Sequence, residues 1–308
     1  MDNIKNVLSK EEWTAFTLRA LYAECGYEKY RMSKFEEYDL YVRNKDFLVS
    51  ESVITFTDTD GKLLALKPDV TLSILKNAKL QGGVMKVYYN ENVYRVSKGT
   101  RTYKEIMQVG LECLGDVTEQ DLTETVYLAA KSLDVISEQN VLELSHLSLV
   151  EAVLKACGLS EVGKAAVWTA LGEKNLAAVQ AVAQAEGLAE QSQSLLERLV
   201  TTYGKAEEVL WALDGFCVDE ATESAVQDFK ALLTALIARG VAGKMQVDFS
   251  VLGNMKYYNG VAFKGFIEGI PTGILSGGQY DKLMSAMGKK GKAVGFAVYL
   301  DELNKLKA

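Results

Sequence analysis

The chain has 308 residues, of which 48% are hydrophobic and 24% charged, so it can bury a full core and a disordered chain is excluded. Its formal net charge of −7, without a basic run of five or more residues, disfavours nucleic acid and anionic membranes as partners. Four scattered cysteines without CxxC spacing and a single histidine exclude a zinc site and a disulfide framework. No apolar run approaches 18 residues, so we expect neither a signal peptide nor a membrane span, and a cytoplasmic protein.

The first predicted element is a helix that begins at a capping box. Ser9 and Glu12 have the spacing at which each side chain accepts a hydrogen bond from the other residue's backbone N–H. Apolar residues follow at roughly helical spacing, beginning with Trp13 and Phe16, and the helix is predicted to run to Gly26.

A β-hairpin is predicted next. Apolar and β-branched residues at 53–57 and 63–66 flank a turn that contains Asp60 and Gly61, a pair typical of hairpins. Pro68 then falls in the first turn of a predicted short helix, where its missing N–H removes no helical hydrogen bond.

Two long buried strands are predicted in GGVMKVYYNENVYRV and KEIMQVGLECLGD, followed by a helix that begins at Thr118. On the second strand Gln108 and Glu112 point to one face of the sheet, and Cys113 points to the other, toward the core. Burying a carboxylate costs several kcal/mol unless it is paired or hydrogen-bonded. The residues alone therefore leave two interpretations of the Glu112 face, a ligand site or a solvated surface.

The segment from about residue 146 to 240 is rich in Ala, Leu, Glu and Gln, with apolar residues at helical spacing, such as Leu195, Leu199 and Tyr203. No fixed period recurs, so we interpret it as a helical insertion rather than a repeat array. His146, at its boundary, is interpreted as structural. Strand patterns on both sides of the helical block predict one interrupted antiparallel sheet, and the predicted fold class is α+β.

Two further features have a structural and a functional interpretation. The pair Gly277-Gly278, shortly before Tyr280, lies at a predicted strand–helix corner, where such a pair usually makes a tight turn and less often contacts a ligand. Tyr257 and Tyr258 could be ordinary strand residues with one ring on each face, or pocket residues.

Five segments occur in an order that points to a known family. They are LALKPDVT (64–71), NVYRVSKGTRTYKEIMQVGLECLGD (92–116), MKYYNGVAF (255–263), SGGQYDKL (276–283) and AVGFAVYLDEL (293–303). Over about residues 10–303 the chain resembles the catalytic core of class II histidyl-tRNA synthetases and their paralogues, the regulatory subunits of ATP phosphoribosyltransferase. The resemblance implies an antiparallel sheet of about six or seven strands flanked by helices. It also implies a dimer formed through the N-terminal helix and the first strands.

Three departures from the synthetase pattern affect the nucleotide half of the site. Arg95 is retained, but Ser97 stands where the resemblance implies a glutamate that contacts adenine. Gly253 replaces the activating arginine, and Glu302 replaces the arginine that would hold the γ-phosphate. Hydrogen bonds from arginine to phosphate are about twice as strong as neutral ones, and a carboxylate about 4 Å from a phosphate repels it by roughly 4 kcal/mol. We expect no amino-acid activation, with Arg95 left as a residual phosphate contact.

The amino-acid half of the pocket is retained, and the resemblance implies histidine as its ligand. Glu112 would accept a hydrogen bond from the imidazole and favour its cationic form. Tyr257 and Tyr258 would close over the ring, while Asp69 and Gln108 would hold the α-amino group. At position 69 synthetases favour glutamate, and the regulatory subunits commonly carry aspartate. The other implied pocket residues are Thr71, which could instead be only a helix-start hydroxyl, and Gly277, Gly278 and Tyr280.

The resemblance implies a non-catalytic regulatory subunit of ATP phosphoribosyltransferase, the first enzyme of histidine biosynthesis. Such a subunit dimerises, joins short-form catalytic subunits in a hetero-octamer, supports their activity and helps transmit histidine feedback, with no cofactor or metal of its own. The sequence ends about five residues after the last segment, so we also expect no C-terminal anticodon-binding domain. Two alternatives stay open: a truncated histidyl-tRNA synthetase-like enzyme that passes an adenylate to another acceptor, and a free-standing histidine-binding module.

Overall fold

Residues 7–48, 53–80, 82–96, 102–253 and 257–305 are described in a computed structural model, and they form a nine-stranded and a three-stranded sheet. The strand order is β1-β5-β6-β12-β11-β10-β7-β9-β8 in the larger sheet and β2-β4-β3 in the smaller. The strands are β1 Glu28–Lys29, β2 Phe35–Glu37, β3 Thr55–Thr57, β4 Leu63–Leu66, β5 Val84–Val96, β6 Tyr103–Gly115, β7 Asn140–His146, β8 Tyr203–Lys205, β9 Met245–Asp248, β10 Val261–Ile267, β11 Ile270–Gln279 and β12 Lys292–Tyr299.

The centre of the larger sheet is antiparallel, as predicted. Neighbouring strands alternate in direction from β5 through β6, β12, β11 and β10 to β7. The prediction of a wholly antiparallel sheet is wrong at the edges, because β1 is parallel to β5 and β9 is parallel to β7. Parallel neighbours need a long crossover connection, and the helical segment between β7 and β9 supplies one.

The helices pack against this sheet. None of those in the described part of the chain combines the length and apolarity that crossing a bilayer requires. The α-helices are Lys10–Glu24, Asp39–Arg43, Val70–Asn77, Glu119–Ile136, Leu147–Ala156, Glu161–Gly172, Leu176–Ala185, Glu190–Thr201, Ala206–Ala212, Glu220–Ala238 and Asp281–Ala286, with 3-10 turns at Lys45–Phe47, Leu213–Phe216, Ala242–Lys244 and Leu300–Lys305.

The predicted N-terminal capping box is confirmed. The Ser9 hydroxyl accepts from Glu12 N at 3.2 Å, and the Glu12 carboxylate accepts from Ser9 N at 2.8 Å. The helix ends at Glu24, earlier than predicted. Its buried face carries Leu18 and Tyr22, whereas Phe16 is 58% exposed.

The predicted hairpin is confirmed as β3 and β4, with Thr57 opposite Leu63. The predicted placement of Pro68 in the following helix is wrong, because that helix begins at Val70. Asp69 is its N-cap and accepts a hydrogen bond from Leu72 N at 2.9 Å. A carboxylate oxygen satisfies a free N–H of the first turn, which proline cannot do, so the cap sets the boundary.

Two strands in and beside the helical segment are missing from the sequence prediction. β7 ends at His146, where the helices begin, and β8 lies within the segment and pairs antiparallel with β9. Tyr203, predicted to continue the helical face of Leu199, lies in β8 instead. A strand of three residues is too short to show an alternation of apolar and polar side chains. Such a strand is recognised only by the strand with which it pairs. That this segment is an insertion stays a prediction.

Each face of the larger sheet covers its own hydrophobic core. On β6 the side chains of Val109, Leu111 and Cys113 enter the core under the helix Glu119–Ile136, and the prediction of a buried Cys113 is confirmed. The alternate residues face the second core, which contains Leu114 and several tyrosines. Successive side chains of a strand point to opposite faces, so this alternation directs Gln108 and Glu112 to the tyrosine side.

Candidate functional site

A cavity of about 230 Å³ lies on the tyrosine-bearing face of the larger sheet. It is smaller than the ~300–1,000 Å³ pockets that hold drug-sized ligands, which suits a ligand of amino-acid size. The sequence-predicted residues that line it are Asp69, Thr71, Arg95, Gln108, Glu112, Tyr257, Tyr258 and Tyr280. Gly253, where the resemblance implies an arginine in synthetases, lines it as well.

Gly277 and Gly278 do not line the cavity, and the prediction of a strand–helix corner is wrong for both. They lie inside β11, opposite Phe296 and Gly295 of β12. A Cβ on Gly278 would lie 2.7 Å from the Tyr258 ring, and one on Gly277 would collide with the Phe296 Cβ. Glycine is therefore required by close approach of neighbouring atoms rather than by a turn.

Glu112 is the centre of a buried hydrogen-bond network. The Thr71 hydroxyl donates to Glu112 Oε1 at 2.6 Å, and the Tyr280 hydroxyl donates to Oε2. Gly295 makes room for the carboxyl group, because a Cβ there would collide with Oε2. Burial raises the pKa of Glu112 to about 8, the two hydrogen bonds oppose this shift, and nearby Asp69 adds to it. A cation that entered the cavity would therefore stabilise the Glu112 carboxylate.

The helix Val70–Asn77 is capped by Asp69 and not by Thr71. Asp69 caps the helix, so the interpretation of Thr71 as only a helix-start hydroxyl is wrong, and Thr71 bonds Glu112 instead. Burial raises the pKa of Asp69, while its bond from Leu72 N and the charge of Arg95 act in the opposite direction. The Asp69 carboxylate is thus partly committed to the helix before any ligand is present.

Three tyrosine rings form one wall of the cavity. The rings of Tyr257 and Tyr258 meet edge to face with centroids 4.9 Å apart, and Tyr257 also contacts Tyr280 at 5.4 Å. Both Tyr257 and Tyr258 precede β10, which begins at Val261. The alternative interpretation of the pair as strand residues with opposed rings is therefore wrong, since both rings line the same cavity.

Gly253 has a left-handed backbone with φ +57°, and a Cβ there would lie 2.7 Å from the Tyr258 ring. Non-glycine residues adopt this conformation only at a cost. The Tyr258 ring thus lies against Gly253 on one side and Gly278 on the other. With Tyr258 in this position, the chain leaves no space for a side chain at 253.

The nucleotide half of the site differs in part from expectation. Arg95 lines the cavity, and its Nε donates to the Pro68 carbonyl at 2.9 Å. Ser97 lies outside the described residues. Glu302 does not line the cavity: its carboxylate accepts from Lys305 Nζ and Thr272 Oγ1, both at 2.5 Å. That Glu302 would face a bound phosphate stays a prediction.

Some lining residues are missing from the sequence prediction. Ser276 lies two residues before Gly278 on β11, and its hydroxyl is 2.8 Å from the Tyr299 hydroxyl of β12. Tyr89 of β5 lies over Gly110, where a Cβ would meet its ring at 2.6 Å. Strand alternation predicts Ser276 from Tyr280, because every second residue of a strand points to the same face. The same rule finds Tyr89 from Arg95, because the two lie six residues apart on β5 and therefore share a face.

Comparison with known proteins places the chain among relatives of this fold. The model of the family described as histidyl-tRNA synthetase matches residues 4–303. The ATP phosphoribosyltransferase regulatory subunit of Bacillus cereus (strain AH187) is 28% identical over 294 residues, which cover 94% of this chain and 70% of that protein.

Two solved structures are also similar. An ATP phosphoribosyltransferase regulatory subunit/histidyl-tRNA synthetase from Bacillus halodurans has a TM-score of 0.87 at 23% identity, covering 97% of this chain and 79% of that one. A chain of the ATP phosphoribosyl transferase (HisG:HisZ) complex from Thermotoga maritima has a TM-score of 0.72 at 18% identity, covering 93% and 96%. They confirm the predicted α+β, class II synthetase-like fold. With the family match over nearly its whole length, the chain belongs to the histidyl-tRNA synthetase family.

Proposed function

We propose that the chain is a non-catalytic regulatory subunit of ATP phosphoribosyltransferase, acting in the cytoplasm with a short-form catalytic subunit. The curated relative from Bacillus cereus carries this name over 94% of the present chain. The observation that carries the proposal is the contact between Tyr258 and Gly253, which leaves no space for a side chain where the resemblance implies an activating arginine in synthetases.

The lack of adenylation is part of this proposal. Charge builds on the α-phosphate during adenylate formation, and fixed cations at that point usually supply much of the catalysis. Among the described residues that line the cavity, Arg95 is the one cation, while Asp69 and Glu112 are potential anions. Such a balance favours an ammonium or imidazolium group over a triphosphate.

We propose histidine as the ligand of the cavity. The Gln108 amide has no hydrogen-bond partner among the described residues and is 3% exposed, so it is available to the α-amino group together with Asp69. Glu112 would face the imidazole. Its carboxyl group, with a pKa of about 8, is protonated in the free protein at neutral pH. A neutral imidazole could take up that proton on binding and become the cation that the carboxylate stabilises.

We propose that two copies of the chain dimerise within a hetero-octamer. The small sheet exposes apolar side chains, with the rings of Phe35 and Phe56 edge to face at 5.6 Å and 46% and 39% exposed. Leu63 and, on the first helix, Phe16 are 47% and 58% exposed. Exposed apolar side chains that lie together, as the two rings of the small sheet do, are typical of an interface between protein chains.

Assembly with a short-form catalytic subunit tests the proposal. Size-exclusion chromatography with light scattering is expected to show a stable hetero-oligomer that neither protein forms alone. Histidine-dependent exchange of pyrophosphate into ATP is expected to stay at background. Exchange above background that Arg95→Ala abolishes would instead favour a truncated synthetase-like enzyme, and histidine binding without assembly would favour a free-standing binding module.

A further inference from the structure

A second cleft, of about 650 Å³, opens on the other face of the larger sheet. It lies between the first turns of the helix Glu119–Ile136 and the C-terminal half of the helix Glu220–Ala238, with Gln279 and Val294 from the sheet in its wall. On β11 and β12 these residues alternate with Gly278 and Gly295, which belong to the tyrosine side. The cleft and the cavity therefore share no lining residue.

His146 presents a hydrogen-bond donor to this cleft. The side chain is only 7% exposed, its ring stacks on Phe229 with centroids 5.1 Å apart, and it lines the cleft. Its Nδ1 accepts a hydrogen bond from Leu149 N at 3.2 Å, so in the neutral ring the proton is on Nε2. Nε2 has no partner among the described residues. Nε2 is not one of the fully buried atoms that lack a partner, so it faces the open cleft, where a ligand can bring an acceptor.

The ring stays a neutral donor at ordinary pH. Burial lowers the pKa of the His146 imidazole to about 4. The Nδ1 bond caps the helix Leu147–Ala156, so the orientation of the ring does not depend on a ligand. A fixed, neutral N–H suits the recognition of a carboxylate oxygen.

Four charged side chains around the cleft lack ion pairs with any described residue. Two are cations, Arg239 and Lys292, and two are carboxylates, Glu119 and Asp228. The Arg239 guanidinium lies 5.4 Å from the centre of the Tyr127 ring, which holds it at the cleft. The 18-residue helix that begins at Glu119 adds a positive potential at its first turn. Two positive and two negative side chains around one cleft suit a ligand that itself carries one positive and one negative group.

We propose that this cleft is a second binding site, which takes a free α-amino acid as its zwitterion. The ligand carboxylate would accept from His146 Nε2–H and face Arg239 and Lys292, while the ammonium group would face Asp228 and Glu119. A phosphorylated ligand fits less well, because its two negative charges would meet two carboxylates. The site does not depend on the cavity that contains Glu112, nor on the proposed assembly.

Calorimetry on the full chain tests this site with a panel of free L-amino acids at millimolar concentration and with inorganic phosphate as a separate probe. At least one amino acid is expected to bind at one-to-one stoichiometry at the cleft. Asp228→Asn, on the exposed side of the helix Glu220–Ala238, and Arg239→Gln, at the C-cap of that helix, should each weaken that binding at least about tenfold, the loss of one charge-assisted contact.

His146→Asn retains an acceptor for the helix cap and should weaken binding as well, with folding checked by thermal melting. Glu112→Gln is the matched control, and cleft binding should stay within about twofold of the unmodified protein. The proposal is overturned if no amino acid binds. It is equally overturned if all binding is lost in Glu112→Gln and unchanged in Arg239→Gln, or if phosphate binds in place of every amino acid.

Discussion

The ring of Tyr258 lies directly against the Cα of Gly253, so that a Cβ at position 253 would be 2.7 Å from the ring. The position is closed by two independent constraints, the close ring and the left-handed φ of +57°. An arginine at position 253, which the resemblance implies for synthetases, would therefore require both the Tyr258 ring and the backbone to move.

Restoring the arginine is expected to damage the fold without restoring adenylation. Gly253→Arg and Gly253→Ala should each lower the free energy of unfolding by about 1–3 kcal/mol, the cost of a strained backbone position plus the displaced ring. Urea unfolding measures this loss, and pyrophosphate exchange should stay at background in Gly253→Arg. Gly243→Ala is the matched control, because a Cβ at Gly243 has open space around it. Unchanged stability of Gly253→Ala would contradict the account.

Removing the charge of Glu112 is expected to weaken the binding of histidine in the cavity. Glu112→Gln is nearly isosteric, and the hydroxyls of Thr71 and Tyr280 can rotate to suit an amide, so the fold should be retained. Loss of a charge-assisted hydrogen bond costs about 1.5–3 kcal/mol, or roughly ten- to hundred-fold in affinity. Calorimetry on the complex with the catalytic subunit measures this change.

Tyr258→Phe, which keeps the ring, should have the milder effect on histidine binding. If histidine inhibits the complex containing Glu112→Gln as strongly as before, then its feedback site lies outside this cavity. The chain would then support catalysis through assembly alone.

The pH dependence of stability should also depend on Glu112. Burial raises its pKa from 4.5 to about 8, so between these values the folded state binds the proton more tightly than the unfolded chain. The contribution is fully present below pH 4.5 and is lost as the pH rises through about 8. Relative to Glu112→Gln, unfolding free energy should fall by up to about 1.4 kcal/mol per pH unit across this window. A difference that does not vary with pH would refute the assignment.

The exposed phenylalanines of the small sheet are expected to lie in a dimer interface. Light scattering should give twice 33.8 kDa for the unmodified chain at micromolar concentration. Phe56→Ser should shift the molecule toward 33.8 kDa without unfolding it, since Phe56 is 39% exposed. Trp211→Ser is the matched control, because Trp211 is 83% exposed on a distant part of the chain and should leave the dimer intact.

Local chemistry explains which parts of the fold were predictable. The Ser9 capping box and the Asp60-Gly61 turn depend on neighbours within a few residues, and both are present. The short strand at Tyr203 and the parallel pairings of β1 and β9 depend on distant partners, which no local pattern records. The helix boundary at Pro68 was misplaced because a nearby Asp is the better cap.

The candidate site shows the same division. Gln108 and Glu112 were correctly assigned to one face, because strand alternation is a property of the chain itself. Gly277 and Gly278 were misassigned, since the rings that require glycine come from other elements. The role of Glu302 opposite a phosphate stays a prediction, and Lys305, one turn later, binds its carboxylate.

The most direct test of the regulatory role is the phosphoribosyl-transfer rate of a short-form catalytic subunit, measured with and without this chain. We expect the rate to rise from near background to a maximum as the chain is added to stoichiometry, and we expect histidine then to lower the rate. A catalytic subunit whose rate is the same in the absence and presence of the chain, with no co-elution of the two proteins, would contradict the regulatory role.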